Sequence, residues 1–419
     1  MGLASAYKIS LAYPGIGIAV LEKEGEVGSH QTGHNSGVIH SGLYYKPGSG
    51  KARRCTAGRR ELVRFAEEQG LGYEVCGKLV VATRERELGR LNDLFERGRA
   101  NGVEGIEKIG TEQIVEIEPA CRGIAAIKVP CTGIIDFVGV ARRLAELIEA
   151  GGEGNVVLTG QEVVGLERHD FYTRVITERA SFRARYLLNC AGLQSDRVAE
   201  MDGVDPGVRI VPFRGDYYEL REEAREKVRG LIYPVPDPAV PFLGVHFTRM
   251  IDGSVECGPS AVFSFKREGY GKMEFSLRDC LDSLGYVGTW RLFLRHWRYG
   301  LGEYARAFSR GLLLRQLRRL VPSLGSDDIR PGKTGVRAQA VGPRGELVDD
   351  FKIERRGNSI HVLNAPSPAA TACLAIGDYI SELSGQYFGL VDKLAKKQVR
   401  SSKKKRKSKG KGKGGERGK

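Results

Sequence analysis

The order of hydrophobic and polar positions along the chain predicts alternating helices and strands. Helical spacing over Leu3 to Tyr13 stops at Pro14, and the apolar, β-branched run Ile16 to Leu21 that follows is suited to a buried strand. Further strand-like runs occur at Lys78 to Ala82, Val156 to Leu158 and Tyr186 to Cys190, with helical patterns at Val138 to Glu149 and Ala372 to Ser384. This alternation is typical of an α/β fold.

The N-terminal helix and strand fit the middle of a dinucleotide-binding unit. In such a unit a glycine-rich turn opens the helix, and an acid that closes the second strand accepts hydrogen bonds from ribose hydroxyls. Gly2 stands where the third glycine of the turn would stand, and Glu22 where the acid would stand. We therefore expect the first strand and most of the loop to be missing, either because Met1 is an internal methionine or because the chain is a truncated paralogue. The alternative is that Glu22 merely caps a surface strand.

The loop after this strand, Gly28 to Tyr45, combines glycines with three histidines among small polar residues. Small residues let the backbone approach a flat ring or a pyrophosphate, and histidines supply groups that titrate near neutral pH. A plain surface loop seldom needs both, so this segment is a candidate cofactor contact.

These segments resemble the D-amino-acid-oxidase-like family of FAD-dependent oxidoreductases, and within it the L-2-hydroxyglutarate dehydrogenases. The resemblance covers roughly residues 2 to 390. The segments that carry it, in family order, are LEKE from Leu21, TGHNSGVIHSGLYY from Thr32, YLLNCAGLQS from Tyr186, PFRGDYYEL from Pro212, GVHFT from Gly244, ECGPSAV from Glu256, KTGVRAQ from Lys333 and HVLNAPSPAATACLAIG from His361.

The resemblance implies two domains, as a length of 419 residues also favours, since single cores rarely grow that large. The expected fold class is α/β with α+β. A Rossmann-like FAD-binding domain would be built from about 1–80, 125–205 and 325–390, and a substrate domain with a mixed or antiparallel sheet from about 81–124 and 206–324. Residues 391–419 would form a disordered basic tail.

The implied reaction is oxidation of L-2-hydroxyglutarate to 2-oxoglutarate, with hydride transfer to flavin N5. This chemistry needs a base for the hydroxyl proton and a cation for the substrate carboxylate. We expect His246 to accept the proton, His40 to contact substrate or flavin, Arg337 to bind the carboxylate and Lys333 to add a second positive charge. The alternative for either histidine is a core residue satisfied by backbone hydrogen bonds.

The same resemblance implies the residues that contact FAD. His34 is also a candidate for covalent attachment to the flavin. The NAPSPAAT segment would present the first N–H groups of a helix to the flavin or to an anion. The expected cofactor contacts are Gly2, Glu22, Lys23, Gly33, His34, Asn35, Ser36, Gly37, Val164, Ala191, Gly192, Pro366, Ser367, Pro368, Ala369, Ala370 and Thr371.

Other functions stay open at this point. One is a related flavin enzyme acting on another 2-hydroxy acid or an amino acid; another is a non-catalytic paralogue with a vestigial flavin fold. The electron acceptor would be a quinone or oxygen. Eukaryotic members of this group are typically mitochondrial, which implies that location, although no presequence is visible in the chain.

Charge and cysteine usage narrow the partners. The net charge is +15, but residues 393–419 alone carry +13, so the body is nearly neutral and no specific nucleic-acid site is expected. The tail is a localisation signal, a contact for RNA or anionic lipid, or an extension with no site. Eight scattered cysteines without metal-ligand spacing indicate reduced thiols and no metal.

The segment from Trp290 to Pro322 is rich in arginine and aromatic residues. Its helical spacing separates apolar and basic residues, as in helices that lie at a bilayer interface. An ordinary amphipathic helical insert with a solvated arginine face is the favoured alternative. A peripheral membrane contact would suit an enzyme that reduces a lipid-soluble quinone.

Overall fold

The computed structural model describes residues 1–237, 243–365 and 367–390. The predicted disordered tail and Pro366 lie outside the described residues. The helices are α1 (Gly2–Ala12), α2 (Gly50–Glu68), α3 (Leu88–Ala100), α4 (Thr111–Ile117), α5 (Phe137–Ala150), α6 (Ser195–Met201), α7 (Leu277–Leu284), α8 (Val287–Phe308), α9 (Arg310–Leu317) and α10 (Cys373–Phe388).

The strands alternate with these helices in the first half of the chain and dominate the middle. They are β1 (Ala19–Leu21), β2 (Val38–Ile39), β3 (Tyr73–Glu74), β4 (Lys78–Ala82), β5 (Glu107–Gly110), β6 (Ala125–Val129), β7 (Gly133–Ile135), β8 (Val156–Leu158), β9 (Val163–Arg168), β10 (Thr173–Thr177), β11 (Ser181–Ala184), β12 (Leu187–Asn189), β13 (Arg209–Leu220), β14 (Leu231–Pro234), β15 (His246–Arg249), β16 (Val255–Gly258), β17 (Val262–Phe263), β18 (Ile329–Val341), β19 (Lys352–Arg356) and β20 (Ser359–Asn364).

Parallel strands form the part of the molecule that the N-terminal pattern predicts. β1 pairs in parallel with β8, and β12 pairs in parallel with β20. These are two separate sheets in the described chain, β1-β8 and β12-β20-β19. Helices α1, α5 and α10 pack together beside these strands.

A large mixed sheet forms the second part. Its order is β17-β13-β16-β15-β14-β4-β6-β5, and β18 pairs along nearly the whole of β13. Most neighbours are antiparallel, but β14 and β4 are parallel. Its strands carry the largest apolar cluster, which includes Leu79, Val81 and Phe247. The sequence predicts a mixed or antiparallel sheet of this kind.

The predicted domain boundaries divide this large sheet. They assign the first residues of β4, all of β6 and all of β18 to the FAD-binding domain, but hydrogen bonding places these strands in the large sheet. The reason is physical: a short apolar strand has the same pattern whichever sheet it joins. We therefore propose that β4 to β6 and β13 to β18 belong to the substrate domain.

The Arg-rich insert is helical, as its spacing predicts, and consists of α8 and α9. The helix α8 is kinked at His296, where the backbone leaves helical values. Among residues 1–237, 243–365 and 367–390, the structure contains no helix that is both long and apolar enough to cross a membrane.

Candidate functional site

The first turn of α1 lies beside the carboxyl end of β12. A Cβ on Gly2 would lie in van der Waals contact with the Cβ of Cys190, at 3.4 Å, so the start of α1 packs against the end of β12. Met1 at the N-cap makes no side-chain cap, and the first turn holds no acidic residue. The N–H groups and the positive end of the helix dipole therefore suit a phosphate, which is the chemistry of the FAD pyrophosphate.

Glu22 follows β1 at the same edge, since α1 and β1 run in opposite directions. Its backbone N–H donates to Leu158 O at 2.9 Å, which holds it at the carboxyl end of the parallel pair. A ribose-binding acid occupies this position in dinucleotide folds. Lys23 differs from the expectation of a direct cofactor contact, because its ammonium is already ion-paired with Glu24, at 3.2 Å, and with Glu268.

Residues 33–37 form a compact loop beside this edge. Asn35 Oδ1 accepts from Gly37 N–H at 2.7 Å, and Gly37 has a φ of 63°, which glycine adopts without strain. His34 Nδ1–H donates to Thr334 O at 2.6 Å, and its ring lies 4.1 Å from the Tyr270 ring. These contacts connect the loop to β18 and to the segment around Tyr270, between β17 and α7.

The remaining expected cofactor contacts divide into two groups. Ala191 and the positive-φ Gly192 are exposed at the carboxyl end of β12. In the segment before α10, Thr371 Oγ1 accepts from His40 N–H at 3.0 Å and donates to Val38 O at 3.2 Å. These bonds connect the segment that includes Ser367, Pro368, Ala369 and Ala370 to the loop from Gly28 to Tyr45, which we call the flavin loop. Val164 lies apart, on the antiparallel strand β9, with an exposed side chain.

Together these features fit FAD. The uncapped helix start, the acid at the end of β1, and the small residues at the end of β12 offer phosphate, ribose and backbone contacts along one edge. In the fold, the residues that would hold the adenosine and pyrophosphate are Gly2, Glu22, Ala191 and Gly192.

Three of the four predicted catalytic residues, His246, His40 and Arg337, come from three separate elements and form one cluster. His246 opens β15 and is buried, with its ring stacked 4.0 Å from that of Tyr233. Its Nδ1–H donates to Gly244 O at 2.9 Å, which leaves Nε2 as the acceptor of the neutral ring. Its pKa is lowered to about 4, chiefly by burial and also by the nearby charges of Arg337 and Lys78.

His40 belongs to the same cluster and lies just after β2. Burial lowers its pKa to about 3, and the charges of Lys78 and His246 act in the same direction. Both histidines are therefore neutral near pH 7. The flavin loop and the large sheet thus bring His40 and His246 near each other.

Arg337 and Lys333 both lie on β18. Arg337 is close enough to His246 and to the buried phenol of Tyr217 for its charge to affect the pKa of each. Lys333 forms an ion pair of 3.0 Å with the buried Glu256. Because its charge is balanced by that carboxylate, Lys333 offers less attraction to a substrate than the sequence suggests.

Sequence reasoning missed Lys78. It opens the buried strand β4, is 3% exposed, and lies with its Nζ 4.6 Å from the Tyr44 ring centre and 4.9 Å from that of Tyr233. Burial lowers its pKa to about 8. The sequence feature that could have identified Lys78 is a lysine at the start of an otherwise apolar strand. Tyr217 and Glu256 lie in the quoted segments but had no chemical role assigned, and Tyr233 lies outside those segments.

An edge suited to FAD beside an enclosed cluster of histidine, lysine, arginine and tyrosine defines a flavin-dependent oxidoreductase. The sequence matches the family described as FAD dependent oxidoreductase (DAO) over residues 1–383, and the chain belongs to this family.

Curated relatives are similar over nearly the full chain. The chain is 48% identical over 383 residues to L-2-hydroxyglutarate dehydrogenase of Indibacter alkaliphilus, covering 91% of this chain and 96% of the relative. It is 45% identical over 382 residues to that of Escherichia coli K12, covering 91% and 90%. It is 45% identical over 408 residues to the Homo sapiens protein named L-2-hydroxyglutarate dehydrogenase, mitochondrial, covering 93% and 88%.

Solved structures share the fold. FAD-bound L-alpha-glycerophosphate oxidase of Mycoplasma pneumoniae superposes with a TM-score of 0.72 at 21% identity, covering 91% of each chain. Glycine oxidase of Geobacillus kaustophilus gives a TM-score of 0.67 at 16% identity, covering 92% of each. At these identities the likeness concerns architecture alone.

Proposed function

We propose that this protein oxidises L-2-hydroxyglutarate to 2-oxoglutarate with FAD. The observation that carries the proposal is the enclosed cluster of His246, Arg337, Lys78 and His40 beside the flavin loop, in a chain 45–48% identical to dehydrogenases of that name. A 2-hydroxy dicarboxylate needs cations for its carboxylates and a base for its hydroxyl, and the cluster contains both.

Arg337 would bind the carboxylate next to the reacting carbon, because a guanidinium offers a planar, permanently charged fork. His246 would accept the hydroxyl proton at Nε2, since the bond from Nδ1–H to Gly244 O fixes the tautomer. When bound, FAD supplies the acceptor for the Cα hydride. A dicarboxylate beside Arg337 and Lys78 would offset the positive charges that lower the pKa of His246, so its basicity rises when substrate binds.

The test uses the full-length protein with FAD. Absorption near 450 nm reports flavin binding, and dye reduction with L- and D-2-hydroxyglutarate, glycerol 3-phosphate, glycine and other 2-hydroxy acids reports specificity. We expect L-2-hydroxyglutarate to be the preferred substrate. Faster oxidation of another compound, or a folded protein that binds no flavin, would overturn the proposal.

The substitution His246→Gln tests the proton acceptor. Glutamine keeps a polar side chain but cannot take the proton, so kcat should fall by about 10²–10⁴-fold. His169→Gln, in the exposed turn between β9 and β10, is the matched control and should match the unsubstituted protein. A variant His246→Gln within threefold of normal kcat, with normal flavin absorption, would remove His246 from this role.

The finer properties are also proposals. We propose a quinone or oxygen as electron acceptor, which anaerobic assays with a soluble quinone analogue would separate from oxidase activity. We also propose a mitochondrial location, which is supported by animal relatives whose names include that compartment; the bacterial names do not. We also propose a peripheral membrane contact, which the Arg-rich segment suggests. Such a contact requires an apolar surface on that segment.

A further inference from the structure

A short turn after β12 carries two of the expected FAD contacts. Ala191 and Gly192 are exposed in this turn, and Gly192 has a φ of 54°, which glycine adopts without strain. Backbone that contacts a cofactor binds it more tightly when its shape is fixed beforehand, because ordering a loop on binding costs free energy. We call residues 190–194 the β12 turn, and the side chains behind it are the subject of the inference.

The side chain of Asn189 lies beneath the β12 turn and bonds to the backbone on both sides of it. Its Oδ1 accepts from Ala191 N–H at 3.0 Å, and its Nδ2 donates to Ser195 O at 2.8 Å. Asn189 and Ser195 are both buried, so losing these bonds would leave polar groups without a partner. One amide therefore bridges the turn from inside the protein, while the backbone of the turn faces outward.

His361 fixes the direction in which this amide points. It is the register partner of Asn189 on the neighbouring parallel strand β20 and is fully buried. Its Nδ1 lies 3.1 Å from Asn189 Nδ2, and its Nε2 lies 2.9 Å from Asp202 Oδ2. Because a carboxylate only accepts, Nε2 carries the hydrogen, and Nδ1 accepts from the second N–H of the amide.

Asp202 is held in turn by Arg168, at the end of β9. The Asp202 side chain is fully buried, and Arg168 donates to its Oδ2 at 2.5 Å and to Ser359 Oγ at 3.1 Å. Burial acts to raise the pKa of Asp202, but the hydrogen bonds from His361 and Arg168 outweigh it and lower this pKa. A chain of hydrogen bonds thus runs from Arg168 through the carboxylate, the imidazole and the Asn189 amide to the β12 turn.

We propose that Asn189 and His361 are positioning residues for FAD: the amide holds the β12 turn in the shape that contacts the cofactor, and the imidazole orients the amide. If the amide rotated by half a turn, its Nδ2 would face Ala191 N–H and its Oδ1 would face the Nδ1 lone pair of His361. Both contacts would set like groups against each other, so one orientation is allowed. The inference rests on the proposed FAD site, and the experiment separates the two.

The substitution Asn189→Leu tests the amide. Leucine has the same branched shape but no hydrogen-bonding atom, so the β12 turn loses both of its bonds. We expect the Kd for FAD to rise by about 10–100-fold. The flavin fluorescence that appears when FAD-loaded protein is diluted measures this Kd. In excess FAD, kcat for the preferred substrate should stay within about threefold, because the catalytic cluster lies on other elements.

Asn155→Leu is the matched control. Asn155 Oδ1 accepts from Ile18 N–H at 3.0 Å, and its Nδ2 donates to Ile148 O at 3.1 Å. This is the same kind of buried bridge between backbone groups, but it lies at the amino end of the β1-β8 pair, away from the proposed FAD edge. Urea unfolding should show a comparable loss of stability, while the Kd for FAD should change less than about twofold. An equal rise of Kd in the control would reduce the effect of Asn189→Leu to general destabilisation and overturn the proposal.

His361→Gln tests whether the imidazole acts through the amide. Glutamine keeps an amide N–H that can reach Asp202, but it has no acceptor at the position of Nδ1. We expect the Kd for FAD to rise by about 3–10-fold in the single variant, and by less than about twofold further when His361→Gln is added to Asn189→Leu. Effects that multiply in the double variant would show that His361 does not act through Asn189.

The remaining outcomes also decide the matter. If Asn189→Leu does not fold, Asn189→Ser and Asn155→Ser replace the pair; a serine hydroxyl reaches only the N–H two residues on, so a rise of about 3–10-fold is expected for the first alone. An unchanged Kd in Asn189→Leu, with weaker binding in Glu22→Gln, would overturn this inference and leave the proposed FAD site intact. An unchanged Kd in both would place FAD elsewhere, and a folded protein without flavin would overturn the proposed function as well.

Discussion

At the scale of single residues, Lys78 places a buried positive charge near the candidate site, and this burial lowers the stability of the folded protein. Its ammonium is buried against the tyrosine rings of Tyr44 and Tyr233. Burial opposes the charged form, and the groups that partly restore its pKa are the weakly acidic thiols of Cys55 and Cys131. Such a charge lowers stability but supplies attraction for a dianionic substrate, which is the usual conflict at a functional site.

Because the buried charge of Lys78 lowers stability, the substitution Lys78→Met should raise the free energy of unfolding by an amount that depends on pH. The folded pKa of about 8 lies below the ordinary 10.5, so between these values the unfolded chain binds more protons and stability rises with pH. In substrate-free protein, Lys78→Met should therefore raise the free energy of unfolding by about 3 kcal/mol at pH 7 and by only about 1 kcal/mol at pH 10. Urea unfolding at both pH values measures this difference.

Lys108→Met on β5 of the same sheet is the control for Lys78→Met. Because Lys108 is exposed, its substitution should change stability by less than about 0.5 kcal/mol at either pH. If Lys78→Met destabilises the protein at pH 7, or if its gain grows with pH, the assignment of a buried charge to Lys78 is wrong.

At the scale of elements, a buried ion network connects the segment between β17 and α7 to the turn before α6. The Arg267 side chain is fully buried, and it donates to Asp196 Oδ2 at 2.8 Å and to Leu193 O at 2.7 Å. Asp282 also accepts from this guanidinium, at 2.5 Å. This network holds the segment that carries Glu268 and Tyr270 against the flavin loop.

Replacing Arg267 should therefore lower the stability of the protein strongly. Arg267→Met leaves the fully buried Asp196 carboxylate without its main cation, so the free energy of unfolding should fall by about 3–5 kcal/mol. The exposed Arg278→Met on α7 is the matched control and should have little effect. Adding Asp196→Asn to Arg267→Met should restore part of the loss. Denaturant unfolding that shows Arg267→Met within 1 kcal/mol of the control would contradict the account.

Sequence reasoning predicted several elements but not how they pair. The spacing of apolar residues placed α1, β4, β8 and α5 within one or two residues of their observed bounds. It could not assign β4 or β6 to a sheet, because a short apolar run does not specify its neighbour. The same limit applies to the site: motif positions identified His40 and His246 as candidates, whereas the burial of Lys78 results from tertiary contacts that no local pattern encodes.

At the scale of the whole molecule, the candidate FAD edge includes residues from both pieces of the divided parallel sheet. Glu22 follows β1 in one piece, and Ala191 follows β12 in the other. A ligand that contacts both must stabilise their relative arrangement, and any ligand that binds only the folded state shifts unfolding by mass action.

FAD should accordingly raise the free energy of unfolding by about 2.7 kcal/mol at a concentration 100 times its Kd. Glu22→Gln removes the charge that accepts ribose hydroxyl hydrogens, and a tenfold loss of affinity would reduce this gain to about 1.4 kcal/mol at the same FAD concentration. Urea unfolding with and without FAD measures both values. Glu153→Gln, exposed in the loop before β8, should retain the full gain. An equal gain for Glu22→Gln would show that FAD does not use the edge where α1, β1 and β12 meet.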